Sequence, residues 1–427
     1  MSSLLPGIEY EYEYQLPHGT QAMNIEQIGK LAVDGQILIA DQMQDRRQAW
    51  LAREGSEDDG VGFAQWLVEQ HDLTDFQASA LQAGIPGPYT LGPYRLSFRL
   101  TTGRRGDLFH AEHAELGQPV SLKIFPVAIS RDERLFARFG REARVGLAAD
   151  HLHVVKTYQV GKVGEVPFIA MEELYGESLE LRLARNGRLP YAVACQLIHQ
   201  AAQGLAYLHA EEIIHGDIRP ANLWITAHGV LKIMEFGAAR DSLSFVDEMD
   251  GEATDAASGL SEDDFVSVRV GHYGYMSAEQ AEEPKSANAA SDLYSLGCTL
   301  YHCLTGQVPF PDKNPVRQML RHARATPQPL FDFDQEIPEA IQDIVSKLLA
   351  KRPEDRFESA DELSQALAEI VAPKVIPEID PVNREFLEWL NTRQTDDITE
   401  YEPEFQEFLS FVSDARFKAT MSGRPTF

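Results

Sequence analysis

The stretch from His215 to Arg240, "HGDIRPANLWITAHGVLKIMEFGAAR", constrains the fold of this chain more than any other part. It places Asp217 and Asn222 in one loop, continues with the predicted hairpin "LWIT-AHG-VLKI", and then presents Glu235. Because a hairpin returns the chain, Glu235 is expected to face the loop that carries the other two side chains. This spacing lets one loop supply an acceptor for a hydroxyl proton together with a metal ligand. The stretch therefore predicts a phosphoryl-transfer site.

A cation suited to phosphate is expected further upstream. Lys123 lies near the end of the apolar strand "PVSLKIF", and Glu142 lies on the predicted helix "RLFARFGREARVGL". A buried lysine needs a carboxylate partner, and a Lys–Glu pair can hold the α- and β-phosphates of a nucleotide. Because both residues precede the Asp217 loop in this order, we interpret them as parts of the same site.

Composition limits the partners and the compartment. The chain has 427 residues, of which 44% are hydrophobic, and a formal net charge of −28. Nucleic acids and anionic membranes attract basic surfaces, so this acidity argues against both as main partners. Three cysteines, an odd number, favour a reducing compartment without disulfides. No apolar run reaches the roughly 18–20 residues of a membrane span, and no secretory signal pattern is present. We therefore expect a cytoplasmic protein without a membrane span.

The order of predicted elements divides the chain into four parts. Residues 1–22 are expected to form an acidic flexible N-terminus, and residues 23–88 a small helical module. Residues 92–372 contain a strand-rich segment and then a helix-rich one, which suggests two packed subdomains. Residues 373–427 are expected to form an amphipathic helical tail that docks onto the domain, with partner binding as the alternative. Its first amphipathic stretch carries Phe386, Trp389 and Leu390, and its second carries Phe405, Phe408, Leu409 and Val412.

One helix start in the N-terminal module is predicted from its sequence. Thr74 and Gln77 have the spacing of a capping box, in which each side chain accepts a hydrogen bond from the main-chain nitrogen of the other residue. Phe63, Trp66 and Leu67 repeat at the helical spacing in the segment before it. We find no catalytic group of residues in this module and interpret it as a small adaptor.

Several motifs from about residue 92 to residue 372 resemble those of the bacterial, eukaryotic-like Ser/Thr protein kinases, in the family's order. "PVSLKIF" is similar to the strand with the phosphate-binding lysine, "HGDIRPAN" to the catalytic loop, and "KIMEFGAAR" to the metal-binding turn. "GHYGYMSAEQ", "SDLYSLG" and "RPEDRF" resemble three later motifs. The resemblance implies an α+β, two-lobed protein-kinase-like fold. Its strand-rich N-lobe would be 92–170 and its helical C-lobe 172–372, with helical extensions at both ends.

The resemblance also implies a role for each matching residue. The cofactors would be ATP and Mg²⁺ or Mn²⁺. The catalytic residues would be Asp217, Arg219 and Asn222, and the metal ligands Asn222 and Glu235. The ATP-binding residues would be Gly103, Gly106, Leu108, Ser121, Lys123, Glu142, Met171, Glu172, Leu174 and Leu223. Among these, Glu172 and Leu174 would offer their main chain to adenine. The structural residues would be Phe236, Gly237, Glu279, Asp292 and Arg356, with Arg356 paired to Glu279.

The sequence departs from the family pattern at several positions. Thr101 replaces the first glycine of the phosphate-covering loop, and Gly216 replaces the arginine before the catalytic aspartate. Arg219 stands where a lysine meets the γ-phosphate, and His272 stands where a threonine is usual. Glu235 is the largest change, because Mg²⁺ requires near-ideal geometry and one extra methylene displaces a carboxylate by roughly an ångström. These departures imply a slow or atypical enzyme.

Two further features have structural interpretations. Residues 241–264, "DSLSFVDEMDGEATDAASGLSEDD", contain no lysine or arginine. We interpret them as a long mobile activation loop; the alternative is an acidic gate or a lure for basic substrates. His151 and His153 lie in the turn "DHLHVV" without a cysteine or carboxylate cluster, so they are interpreted as structural and not as metal ligands.

Three functions fit these observations. The first is an ATP- and metal-dependent serine/threonine protein kinase that transfers the γ-phosphate to a protein hydroxyl, slowly or atypically. The second is a pseudokinase, a nucleotide-binding or scaffolding signalling module. Its partner, like that of the kinase, would be a protein. The third is a small-molecule phosphotransferase, because "HGD" followed by Asn also occurs in antibiotic kinases. The motifs "GYMSAEQ", "SDLYSLG" and "RPEDRF" favour the protein kinases over this third class.

Overall fold

A computed structural model describes residues 23–35, 37–53, 55–82, 84, 90–101, 106–126, 129, 133–163, 166–236, 240–241, 273–282, 286–371 and 384–396. The chain forms two compact units. The first comprises Met1–Val127, Gly161–Glu173 and Val382–Trp389, and the second comprises Ala128–Val160, Leu174–Pro381 and Leu390–Phe427. The expected acidic N-terminus, most of the acidic segment 241–264, and the second amphipathic stretch of the tail lie outside the described residues.

A sheet forms the centre of the first unit. Its strands are β1 (Thr90–Leu91), β2 (Tyr94–Thr101), β3 (Asp107–His113), β4 (Pro119–Ile124), β5 (Thr157–Val163), of which residues 161–163 belong to this unit, and β6 (Val166–Met171). In the described part of the chain their order is β1-β2-β3-β4-β6-β5. Four consecutive residues of β4, from Val120 to Lys123, are buried. Because successive side chains of a strand point to opposite faces, β4 is covered on both faces.

Four helices form a small core in the N-terminal part of the first unit. They are α1 (Ile25–Asp34), α2 (Ala40–Ala52), α3 (Gly60–Glu69) and α4 (Asp75–Gln82). The ring of Trp50 lies 5.7 Å from that of Phe63 and 5.8 Å from that of Trp66. The predicted capping box of α4 is confirmed. The main-chain nitrogen of Thr74 donates to Gln77 Oε1 at 3.0 Å, and that of Gln77 donates to Thr74 Oγ1 at 3.2 Å.

The second unit is mainly helical. Its helices are α5 (Glu133–Ala148), α6 (Leu179–Asn186), α7 (Tyr191–Ala210), α8 (Ala278–Glu282), α9 (Ala289–Thr305), α10 (Pro315–Arg324), α11 (Glu339–Leu348) and α12 (Ala360–Ala368). Its short strands are β7 (Gly176–Ser178), β8 (Ile213–Ile214), β9 (Leu223–Thr226), β10 (Leu231–Ile233) and β11 (Arg240–Asp241). They pair in the orders β10-β9-β7 and β11-β8. A strand-rich unit and a helical unit confirm the predicted α+β, protein-kinase-like fold.

The first amphipathic stretch of the tail docks onto the sheet of the first unit. It forms α13 (Arg384–Asp396), in which Phe386 is fully buried. The ring of Trp389 lies 4.2 Å from that of His113, and the ring of Phe386 lies 5.6 Å from it. The ring of Trp389 also lies 6.4 Å from that of Tyr94. This is the docking that the amphipathic pattern predicted. No helix within the described ranges is long and apolar enough to cross a membrane.

Acidification is expected to destabilise the second unit through two buried histidines. Burial is the main cause that lowers the pKa of His322 to about 3 and that of His153 to about 4. An unfolded histidine has a pKa of about 6.5. Between the unfolded and folded values the unfolded chain binds more protons, so stability falls as the pH falls. Each histidine is expected to lower the free energy of unfolding by about 2 kcal/mol between about pH 7 and pH 5.

Urea unfolding at these two pH values measures the effect. His322→Gln is expected to reduce the pH dependence of the unfolding free energy by about half, because glutamine does not titrate and His153 remains. His228 is exposed on the hairpin, and His228→Gln is the control that is expected to keep the pH dependence of the original protein. An unchanged pH dependence in His322→Gln would contradict the assignment to this residue.

Candidate active site

Asp217 is held by two side chains of its own loop. Asn222 Nδ2 donates to the main-chain oxygen of Asp217 at 2.7 Å and to its carboxylate Oδ2 at 3.0 Å. Arg219 Nε lies 3.3 Å from Oδ1 of the same carboxylate. The 3-10 turn Pro220–Asn222, with proline at its first position, brings Asn222 back to Asp217. Because the amide nitrogen of Asn222 donates to Asp217, its Oδ1 is the atom suited to a metal.

Asp292, in the first turn of α9, fixes the main chain of the loop before Asp217. Its carboxylate accepts from the main-chain nitrogens of His215 at 2.9 Å and Gly216 at 2.8 Å. His209 Nε2 lies 2.9 Å from the same carboxylate. Gly216 has φ +76°, a left-handed conformation that glycine adopts without strain. The glycine that departs from the family pattern therefore suits the backbone at this position.

The hairpin of β9 and β10 brings the main chain just before Glu235 back to the Asp217 loop. Ile233 lies opposite Leu223 in the antiparallel register. The main-chain nitrogen of Met234 then donates to the main-chain oxygen of Asn222 at 2.9 Å. Glu235, which follows Met234, has φ +70°, a conformation that costs a residue other than glycine on the order of 1–3 kcal/mol. The surrounding structure must therefore stabilise this backbone conformation of Glu235.

The residue after Glu235 anchors this turn. Phe236 is buried with 1% of its surface exposed, and its ring meets that of His215 edge-on at 5.5 Å. His215 Nε2 and the main-chain oxygen of Met234 lie 2.9 Å apart. The turn and the Asp217 loop are thus joined through His215. Gly237, the last residue of this motif, lies outside the described residues.

Four of the expected ATP-binding residues share one face of the sheet in the first unit. Leu108 lies opposite Lys123, and Ser121 lies opposite Met171. Ser121 and Lys123 are two residues apart on β4, so they point to the same face. Directly opposed residues of paired strands also share a face. The register therefore brings Leu108, Ser121, Lys123 and Met171 together.

Lys123 and Glu142 are both buried, which is consistent with the predicted buried Lys–Glu pair. Lys123, on β4, has 3% of its surface exposed, and its Nζ lies 4.9 Å from the centre of the Phe125 ring. Glu142, on α5 of the second unit, has 9% exposed. Charged groups are seldom buried to this extent without a defined role or partner.

The glycine at the end of the phosphate-covering loop has a structural requirement of its own. Gly106 has φ +135°, and a Cβ built there would lie 2.6 Å from the main-chain oxygen of Ile124. A side chain at this position is therefore excluded by the fold itself. Thr101 ends β2 and is exposed, opposite Leu108. Gly103 lies outside the described residues.

The segment after β6, where adenine would bind, carries contacts that the sequence did not indicate. His110 Nε2 lies 2.8 Å from Glu173 Oε1, within the first unit. In the second unit, Trp224 Nε1 donates to the main-chain oxygen of Leu174 at 2.7 Å. The period-two alternation of β3 is the signal that could have placed His110 on the face of Leu108. No sequence signal connects it to Glu173.

Arg356 and Glu279 form the ion pair that the resemblance implies. Arg356 Nη1 donates to Glu279 Oε1 at 2.7 Å, and its Nη2 donates to Oε2 at 2.9 Å. Burial by itself would raise the pKa of Glu279, but the hydrogen bonds and charge of Arg356 hold this pKa below its usual value. The guanidinium of Arg356 also lies 4.7 Å from the centre of the Tyr294 ring.

The other sequence-based predictions have different outcomes. His153 is buried and its Nδ1 lies 2.9 Å from the main-chain oxygen of Leu231, which agrees with a structural role. Among the described residues, no three His, Cys, Asp or Glu side chains cluster closely enough to hold a metal. Leu223 is buried at the start of β9, and Glu172 follows β6. His272 lies outside the described residues.

Comparisons with known proteins agree with this geometry. Residues 94–368 match a family model described as protein kinase domain. Serine/threonine-protein kinase PknB of Mycobacterium leprae is 33% identical over 277 residues, which cover 64% of this chain and 42% of that protein. A probable serine/threonine-protein kinase of Streptomyces coelicolor, SCO3848, is 34% identical over 280 residues, covering 65% and 39%. The chain therefore spans about two fifths of the length of these curated relatives.

Proposed function

The chain belongs to the protein kinase family, and we propose that it transfers the γ-phosphoryl group of ATP to a serine or threonine hydroxyl of a protein. The observation that carries this proposal is the orientation of Asp217. Its carboxylate is held by Asn222 and Arg219, on a loop whose main chain is fixed by Asp292. A carboxylate with a fixed position is what the attacking hydroxyl requires. The relatives named as serine/threonine kinases support the choice of acceptor.

The proposed reaction assigns a separate task to each loop residue. The hydroxyl oxygen forms a bond to the γ-phosphorus while the bond from that phosphorus to the bridging oxygen of ADP breaks. The hydroxyl proton passes to Asp217. Arg219, whose side chain is 15% exposed, supplies positive charge to the transferring group in the place of the usual lysine.

The donor set beside Asp217 fits a magnesium or manganese ion that arrives with ATP. Such ions take oxygen ligands and commonly combine one or two protein groups with substrate phosphates. Asn222 Oδ1 and the Glu235 carboxylate are the oxygen atoms that would hold it. The ion would supply positive charge to the phosphates.

ATP binding is assigned to the residues that match the family's motifs. Lys123, with Glu142 as its carboxylate partner, would hold the α- and β-phosphates. The main chain of Glu172 and Leu174 would bind adenine. The remaining lining is assigned to Gly103, Gly106, Leu108, Ser121, Met171 and Leu223. The burial of Lys123 and Glu142 supports the first of these assignments.

Labelled ATP tests the proposal directly. The whole chain, incubated with γ-labelled ATP and Mg²⁺ or Mn²⁺, is expected to label itself or a basic protein on serine or threonine. Phosphoamino-acid analysis identifies the acceptor. Absence of label, combined with a rise in melting temperature on addition of ATP, would contradict transfer and favour a pseudokinase that binds nucleotide.

Glu235→Asp is expected to raise kcat. The shorter side chain restores the family's carboxylate position, and a displacement of about an ångström can cost on the order of 10²-fold in rate. Aspartate also tolerates the left-handed conformation of this position better than most residues. The measurement is kcat as a function of Mg²⁺ concentration. Glu235→Gln, which keeps the length but removes the charge, is the control and is expected to lower kcat. If Glu235→Asp did not raise kcat, misplacement of the metal by the longer Glu235 side chain would be contradicted.

A further inference from the structure

The capping box of α4 also connects the N-terminal helices to the sheet. Gln77 uses its Oε1 to accept from Thr74, while its Nε2 donates to the main-chain oxygen of Leu96 on β2 at 2.9 Å. Thr74 Oγ1 accepts from Gln77 and donates to the main-chain oxygen of Ser97. Gln77 has only 4% of its surface exposed. Each of these two side chains therefore accepts a hydrogen bond at the start of α4 and donates another to the main chain of β2.

The two acceptors of these bonds lie at a β-bulge. Leu96 lies opposite Ala111 and Phe98 lies opposite His110, so Ser97 is an extra residue in β2. His110 and Ala111 are consecutive and point to opposite faces, and the same must hold for Phe98 and Leu96. In a regular strand these two residues would share a face. The bulge thus places Phe98 on the face of His110.

This face is the one that carries the expected ATP-binding residues. His110 lies opposite Ser121 in the register, so it shares the face of Ser121 and Lys123. The ring of Phe98 stacks on that of His110 with a centroid distance of 4.7 Å and an angle of 2° between the planes. His110 Nε2 then lies 2.8 Å from Glu173 Oε1. Glu173 stands between the two residues whose main chain is assigned to adenine.

We propose that Gln77 is a positioning residue for ATP, an inference that rests on the proposed kinase function. Gln77 and Thr74 hold the bulge, the bulge places Phe98 against His110, and His110 holds the Glu173 side chain. The main chain on either side of Glu173 is thereby held for adenine. The N-terminal helices thus set the affinity for ATP, whereas the transfer step at Asp217 is independent of them.

Gln77→Glu separates the two roles of this side chain. The carboxylate can still accept from Thr74, but it presents an oxygen instead of a donor to Leu96. The matched control is Gln27→Glu. Gln27 occupies the same place in the capping box of α1, where its Oε1 accepts from Asn24 at 3.0 Å, and it is exposed. We expect Gln77→Glu to raise the KM for ATP about three- to tenfold with kcat changed less than about twofold. Gln27→Glu is expected to change neither.

A double-mutant cycle tests the route through His110. His110→Phe keeps an aromatic ring for Phe98 but removes the nitrogen that meets Glu173. In that background, Gln77→Glu is expected to raise the KM for ATP by less than about twofold, because His110→Phe has already removed the contact with Glu173. Amide hydrogen exchange of residues 172–174 is expected to be faster in both single variants and unchanged in Gln27→Glu. This exchange needs no catalysis, so it remains decisive if the original protein fails to transfer phosphate.

Any of three results with Gln77→Glu would overturn the inference. The first is a Gln77→Glu variant with unchanged KM and unchanged exchange. The second is an equal increase in KM in the presence and absence of His110→Phe. The third is a loss of kcat alone. If Gln77→Glu does not fold, Thr74→Val and Thr74→Ser decide: only the valine, which lacks both the acceptor for Gln77 and the donor to Ser97, is expected to raise KM. Equal values for the two would also overturn the inference.

Discussion

Asp217→Asn is expected to lower kcat for phosphoryl transfer about 10²- to 10⁴-fold, the usual range for loss of a general base. Asparagine has nearly the same shape as aspartate but does not take up the hydroxyl proton. Its side-chain oxygen can still accept from Asn222 Nδ2, which now donates to the Asp217 carboxylate at 3.0 Å. The loop is therefore expected to keep its structure. The KM for ATP is expected to change little, because adenine and the phosphates are assigned to other residues.

Initial rates with γ-labelled ATP, measured over a range of ATP concentrations, give kcat and KM separately. Asp343→Asn is the control, because Asp343 is exposed on α11 and the same chemical change there is expected to leave both constants unaltered. A melting temperature equal to that of the original protein would show that Asp217→Asn is folded. If the folded variant kept more than about a tenth of the original kcat, proton acceptance by Asp217 would be contradicted.

Arg356→Met is expected to lower the free energy of unfolding of the second unit by about 3–5 kcal/mol, the range for breaking a buried ion pair. Arg356 has 3% of its surface exposed. Besides Glu279, its guanidinium donates to the main-chain oxygens of Ala350 at 2.8 Å, Ala290 at 2.8 Å and Lys351 at 3.1 Å. Methionine fills a similar volume but leaves these four partners without their donor, and it leaves Glu279 with an uncompensated charge.

Equilibrium unfolding in guanidinium chloride measures this loss. Arg352→Met is the matched control, because Arg352 is exposed and its unfolding curve is expected to be almost unchanged. The double variant Arg356→Met with Glu279→Gln is expected to recover part of the loss, since it removes the uncompensated charge. A loss below about 1 kcal/mol in the single variant would contradict a stabilising role for the pair.

The local geometry of the loop and the hairpin could be predicted from the sequence because each part depends on short-range chemistry. Asp217 and Asn222 are five positions apart, and the intervening proline turn is sufficient to join their side chains. The hairpin that follows is also local, and the main-chain hydrogen bond from Met234 to Asn222 brings the residue before Glu235 back to the loop. The capping box of Thr74 and Gln77 was predictable for the same reason.

The family resemblance extended the prediction to one distant pair. Glu279 and Arg356 are separated by 77 positions, and no periodicity or propensity connects them. Their ion pair was expected only because the motifs "GYMSAEQ" and "RPEDRF" occur in the family's order. Asp292 shows the limit of this kind of prediction. It was assigned a structural role, but its hydrogen bonds to His215 and Gly216 follow from the packing of α9 against their loop.

The sequence by itself determined the fold class, the order of the motifs and the local turns, since hydrophobic period and capping residues act over a few positions. The tertiary structure alone decided which donors of Gln77 and Thr74 reach β2, and that Ser97 is an extra residue in that strand. It also decided that Phe98 meets His110 and that His110 meets Glu173. The physical reason is that a strand's register is set by all of its neighbours together. One extra residue reverses the face of the side chains that follow it until the next irregularity, which in β2 lies between Arg99 and Thr101.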